Sequence, residues 1–226
     1  MELNISPEKK TLLQKMKLFF IRPTELFRDY RERPTWALKL LIISVVTALF
    51  TLAVKVLSKD LYVELLEKKA AGMSPEQADA VRASAGFLNS PLVNALSAVF
   101  AVISIIAVIF ILALVYMALV KMFGGQIKYM QAVSVYTLAY IATCIGMVFK
   151  VLFMYVTGNL IYANLEPTYT DVLFNSLDPF IIWQAILMVF GLSIVGGIPE
   201  KKSTIIVVIM WLLSMAFSMG MVMIAK

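Results

Sequence analysis

Histidine is missing from this chain altogether, and cysteine occurs once, as Cys144. Without histidine the commonest general base and the commonest transition-metal ligand are both gone, and no Ser-His, Cys-His or Glu-x-x-His constellation can form. One cysteine inside an apolar run rules out an intrachain disulfide and leaves the compartment unreadable from redox chemistry. The glycine pairs Gly124-Gly125 and Gly196-Gly197 lack the x-x-x-x-Gly-Lys-[Ser/Thr] continuation of a phosphate-cradling loop. A Ser/Lys dyad on Lys150 would need a serine at matching depth, and none in its run lies one or two turns away on its face. Met210, Met215, Met219, Met221 and Met223 scatter around the last apolar run and read as adaptable packing, not a Cu(I) site. No catalytic residue, cofactor or metal is expected, and the chain reads as a non-enzyme.

What is present is apolar. Hydrophobic residues make up 61% of the 226 positions and charged residues 15%, with a mean hydropathy of +0.88; an ordinary soluble domain is about 45–50% apolar. Long apolar runs cover 36–57, 92–120, 130–157, 179–198 and 204–225. Each reaches the roughly 20 residues that carry a helix across a bilayer. The expectation is an all-α, polytopic membrane protein: a basic N-terminal segment over 1–35, then a five-span domain over 36–226 with a helical insertion at 58–91. The first run is too long and too far along to be a signal-peptide core, so it reads as retained.

Charge sets the expected orientation, because basic residues flanking spans stay on the cytoplasmic side. Lys9, Lys10, Lys15, Lys17, Arg22, Arg28, Arg31 and Arg33 precede the first span, Lys121 and Lys128 follow the second, and Lys201 and Lys202 follow the fourth. The 158–178 loop carries Glu166, Asp171 and Asp178 and no basic residue, while 58–91 is mixed. The N-terminus is therefore expected in the cytoplasm and the C-terminus outside. The net charge of +6 follows from this asymmetry, without nucleic-acid binding.

Residues 7–20 read as an interfacial amphipathic helix. Leu12, Leu13, Met16, Phe19 and Phe20 fall on one stripe, with most of the lysines off it. Two readings stand: an anchor in anionic headgroups, or a helix packed on the ends of the bundle. Pro23 breaks it, and Thr24–Arg33 is expected to form a second short helix with Leu26, Phe27 and Tyr30 as contacts. In the insertion, a helix ending near Gly72 precedes Ser74-Pro75-Glu76-Gln77, an N-cap, a proline at N1 and a glutamine closing a capping box. Ser90-Pro91 and Asp178-Pro179 repeat the cap-then-proline signal at the second and fourth spans.

These segments carry a resemblance. Arg22-Pro23-Thr24-Glu25-Leu26-Phe27, Pro34 and Trp36, the turn Gly124-Gly125-Gln126-Ile127-Lys128-Tyr129-Met130, Tyr136 and Tyr140, and Pro199-Glu200-Lys201-Lys202 together resemble the Yip family, in its compact prokaryotic form. The resemblance covers roughly 18–225 and implies five spans with a cytoplasmic N-terminus, in a bacterial cytoplasmic membrane. Members often carry a proline near the position of Ala142, and this chain has none. Eukaryotic members have a long N-terminal region linked to GTPase and coat interactions, whereas 35 residues, basic on balance, stand before the first span here, so GTPase binding is not carried over.

Ionisable residues within spans are functional candidates because of what their insertion costs. Lys55 and Lys150 each lie about 19–20 residues, or about 28–30 Å of helix, from the cytoplasmic ends of their spans. Three readings stand: snorkelling to the outer headgroups, a joint site for a lipid phosphate or other anion, or pairing with Glu166 or Asp178. Asn94, Ser97 and Ser104 on the second span and Ser134, Thr137 and Tyr140 on the third are either helix-packing stripes or the walls of a polar groove. The expected function is organising membrane lipids or a membrane-protein complex. The alternative is a small transporter or lipid translocator working through those polar faces. Expected partners are anionic lipid headgroups, with a membrane-protein partner or a second copy of the chain.

Overall fold

The computed structural model describes residues 11–160 and 168–224, with the side chain of Leu12 left out. Within them the chain is helical throughout: α1 Leu12–Ile21, α2 Pro23–Glu32, α3 Ala37–Leu57, α4 Lys59–Ala70, α5 Pro75–Leu88, α6 Pro91–Met122, α7 Tyr129–Thr157, α8 Tyr169–Ser176, α9 Pro179–Gly196 and α10 Glu200–Ile224. Helices α3, α6, α7, α9 and α10 are long and apolar enough to cross a membrane. The starts follow local chemistry. Thr11 with Gln14, Ser74 with Gln77 and Thr168 with Asp171 form capping boxes, and Ser90 and Asp178 each cap a helix whose first residue is proline. Gly158 and Gly197 close α7 and α9 at φ +66°, a left-handed conformation glycine adopts without strain.

Helix α7 is the centre. From Gln131 to Ala139 every residue is buried, because α2, α3, α6 and α9 all pack against it. A helix enclosed on every side needs small and polar residues that let neighbours approach, and Ala132, Ser134, Thr137 and Ala139 supply them. Farther along, Gly146 leaves room for the Phe180 ring of α9, which would stand 2.7 Å from any Cβ placed there. Helix α10 lies outermost, on α9 and α8.

The N-terminal arm departs from a helix lying flat on a surface. Phe27 is fully buried and sits against Gly191 of α9, where a Cβ would come within 2.9 Å of its ring and 2.4 Å of Val135 Cγ1. Phe19 is buried against Trp183, ring centroids 5.2 Å apart. Phe19 thus meets α9 about two turns nearer its start than Phe27 does, so the arm packs along the side of α9. Its other end is tied down by Gln131 Nε2 donating to the Arg31 carbonyl at 2.6 Å. Lys39 Nζ donates to Tyr30 Oη at 3.0 Å and stands 4.4 Å from the centroid of that ring. Burial pushes the Tyr30 phenol up to about 12, so it stays neutral there.

At the opposite end of the bundle α4 and α5 form a hairpin. Arg82 grips Glu67 through Nε at 3.0 Å and Nη2 at 2.9 Å, and holds Asp79 at 3.2 Å. The Arg82 hydrogen bonds hold the Glu67 carboxyl below its ordinary range. Helix α8 was not among the helices expected from sequence; it occupies the acidic segment before α9.

Gly191→Ala is expected to destabilise the protein by about 1–3 kcal/mol through overpacking, read as a lower unfolding temperature in mild detergent. Gly220→Ala, with nothing within 4 Å, leaves it unchanged or slightly raised. Because the folded-state pKa of Glu67 is depressed, the hairpin clamp is complete at neutral pH and is lost as pH falls through that lowered value. Spin labels at positions 68 and 84 should hold a narrow distance distribution at neutral pH and broaden once the pH falls through that lowered value.

Candidate functional site

The polar atoms of the bundle gather in two seams. In the α7–α9 seam, Asp178 has a double role. Its Oδ1 accepts from Phe180 N at 2.8 Å, capping α9, and its Oδ2 accepts from Lys150 Nζ at 2.7 Å. A carboxylate at a helix N-terminus is favoured by the aligned peptide dipoles. With 9% of Asp178 and 19% of Lys150 exposed, the attraction is little screened. Of the two carboxylates considered from sequence as partners for Lys150, Asp178 takes it, and Glu166 lies outside the described residues. Deeper in the same seam Thr143 Oγ1 donates to Gln184 Oε1. Tyr136 stacks on Tyr140, centroids 6.1 Å apart, and meets Tyr116 of α6 at 6.0 Å.

The second seam lies between α3 and α6. Lys55 Nζ donates to Ser97 Oγ at 2.7 Å, and Ser97 Oγ donates to its own Val93 carbonyl at 2.8 Å. Lys55 and Lys150 thus have separate partners on separate helices. Asn94, one turn from Ser97, keeps a buried Oδ1 without a partner.

The six residues considered as a groove are not on one surface. Ser134 and Thr137 are fully buried, and their hydroxyls bond back to Met130 and Val133 carbonyls at 2.8 Å each. Tyr140, Asn94 and Ser97 are half-buried, and Ser104 is exposed on the outer side of α6. The anchor stripe also divides. Phe19 is docked, while Leu13, Met16 and Phe20 are 78%, 60% and 59% exposed. Phe20 nonetheless touches Trp183 at 5.4 Å.

Sequence reasoning did not foresee the pocket of about 510 Å³ between α8 and α10, with Trp211, Met215 and Phe217 in its wall and Ser214 and Ser218 on its polar side. Trp211 Nε1 donates to the Ser176 carbonyl at 3.1 Å there. The Thr168–Asp171 capping box was the available signal for α8. Among the described residues no three His, Cys, Asp or Glu side chains gather as a metal site would need, and Cys144 is buried.

The Yip1 domain matches residues 16–222. A Bacillus subtilis (strain 168) protein, membrane protein YknW, is 27% identical over 234 aligned residues, which cover 97% of this chain and 95% of the relative. No solved structure matches.

Asp178→Asn keeps the cap's oxygen but removes the charge that Lys150 faces. It is expected to destabilise the protein by about 3–5 kcal/mol, as breaking a buried pair from one side does. Adding Lys150→Met in the same chain should restore most of that loss, read from unfolding midpoints of the three variants.

Proposed function

The chain belongs to the Yip1 family, and from that premise we propose that it is a non-enzymatic, multi-pass membrane protein that organises lipids around itself or around a membrane-protein complex. The observation that carries this reading is the free face of α1. Leu13 and Met16 are largely exposed, and Phe20 stays more than half exposed although its ring meets Trp183, on an arm held beside α9 by Phe19, Phe27 and Tyr30. Apolar side chains left uncovered on a helix so placed are satisfied by acyl chains. Lys15, Lys17, Arg28 and Arg31 sit close by in sequence, and basic residues of this kind draw anionic headgroups.

In this reading residues 1–35 are a cytoplasmic arm, residues 36–226 are the five-span domain, and the C-terminus lies outside. The membrane is a bacterial cytoplasmic one, supported by the basic residues at the arm end and by the Bacillus relative. Lys55 belongs to the lipid-facing chemistry of the outer leaflet, whereas Lys150 is matched by Asp178. Partners are anionic lipids, with a membrane protein or a second copy of the chain. The competing reading, a small transporter or lipid translocator, draws on the polar side chains of Thr143, Gln184 and Tyr136 inside the bundle.

Reconstitution into mixed phosphatidylglycerol and phosphatidylcholine vesicles separates these readings. Energy transfer from Trp36, Trp183 and Trp211 should be stronger to dansyl-phosphatidylglycerol than to dansyl-phosphatidylcholine, and Met16→Asp/Phe20→Asp should weaken that preference. Flip-flop of a nitrobenzoxadiazole-labelled lipid should match protein-free vesicles. Equal transfer to both lipids would defeat the organising reading, and faster flip-flop would replace it with translocation.

A further inference from the structure

Where α4 and α5 fold back over the bundle, the α3–α6 seam opens into a space of about 650 Å³ lined by Lys59, Glu67, Arg82, Asn89 and Ser90 among apolar residues. Its position is fixed by two spans. Lys59 follows the end of α3 by two residues, and Pro91, also in the lining, is the first residue of α6. Phe87 and Leu92 stand beside it, 66% and 67% exposed. Leu92 belongs to a spanning helix, so the mouth meets the bilayer surface.

The charges inside are unequal. Arg82 and Glu67 satisfy each other and form a neutral wall. Lys59 has no ion pair among the described residues. Lys55 lies one turn earlier, on a backbone that stays hydrogen-bonded through Ser58, with Ser58 N to Val54 O and Tyr62 N to Ser58 O both 2.9 Å. An ammonium carries three donors, and half-buried Lys55 uses one, on Ser97 Oγ, and faces no carboxylate among the described residues. Lys150, by contrast, has Asp178. Beside this under-used cation, the buried Asn94 Oδ1 lacks a donor, while its Nδ2 reaches the Asn89 carbonyl at 3.3 Å. Two cations and an orphan acceptor thus follow one seam, from within the spanning layer up into a space at its surface.

We infer that this space is a headgroup site for an anionic phospholipid. Lys59 in the space and Lys55 one turn below it receive the phosphodiester, and the acyl chains run down past Leu92. Charge-assisted hydrogen bonds to phosphate are the strong kind, and a partly desolvated ammonium makes them stronger. A zwitterionic lipid brings a choline cation that the two lysines repel. The site rests on the lipid-organising reading, yet it shares no residue with the arm, so the two can fail separately.

Native mass spectrometry of the full chain in mild detergent, titrated with dioleoylphosphatidylglycerol or dioleoylphosphatidylcholine, tests it. One phosphatidylglycerol should bind, with an affinity at least about tenfold weaker in Lys55→Gln/Lys59→Gln, a loss of one strong contact or more. Lys55→Arg/Lys59→Arg should retain it, and so should Met16→Asp/Phe20→Asp, which alters only the arm. Lys59→Gln alone, at an exposed position, keeps the fold and should still weaken binding. Unchanged binding in the glutamine variants, or equal binding of phosphatidylcholine, would overturn the site. Loss of the vesicle preference with the titration intact would overturn the arm reading and leave the site standing.

Discussion

Polar atoms carried through a bilayer have no water to bond, so they must be satisfied within the protein, and this chain meets that demand around α7. Ser134 and Thr137 turn their hydroxyls onto their own backbone, which lets α3, α6 and α9 press close against an enclosed helix. Thr143 finds Gln184 across the seam. Lys150 finds Asp178, which would otherwise only cap α9. Gly146 and Gly191 then let Phe180 and Phe27 fill what remains. The arm owes its place to the same arrangement, since the slot for Phe27 exists only where Gly191 of α9 faces Val135 of α7.

The spans and their caps were legible because both are local. A run of apolar residues, a Ser-Pro or Asp-Pro start and a glycine end are written in neighbouring positions, and the helix bounds fall within a few residues of the runs. Helix α10 begins at Glu200, four residues before its apolar run, because its first turn is polar and apolar content cannot register it. Helix α8 escaped notice within an acidic loop, though Thr168 and Asp171 mark its start.

The arm and the site depend on which way each helix turns, which no period reveals. Phe19 and Trp183 lie 164 positions apart, and a stripe containing Phe19, Met16 and Phe20 does not say which residue is covered. Counting along the helices put Lys55 and Lys150 at similar depth, and depth was all it could give. Packing turned one toward Ser97 of α6 and the other toward Asp178 of α9. Ser104 follows Ser97 by seven residues, near enough to share its stripe, yet it is exposed where Ser97 meets α3. The same rotation separates a cation already matched by a carboxylate from one that is not, and makes the α3–α6 seam the place where a ligand has something to add.

An organising role requires that the free face of α1 have lipid for its partner. Nitroxide labels at positions 13, 16 and 20, in the full chain reconstituted in bilayer nanodiscs, would read this from collisions with oxygen and with a water-soluble nickel chelate. Frequent collisions with oxygen and rare ones with nickel are expected at all three positions, against the reverse at Ser74 in the turn of the hairpin. Nickel-accessible labels at positions 13, 16 and 20 would place that face in water and contradict it.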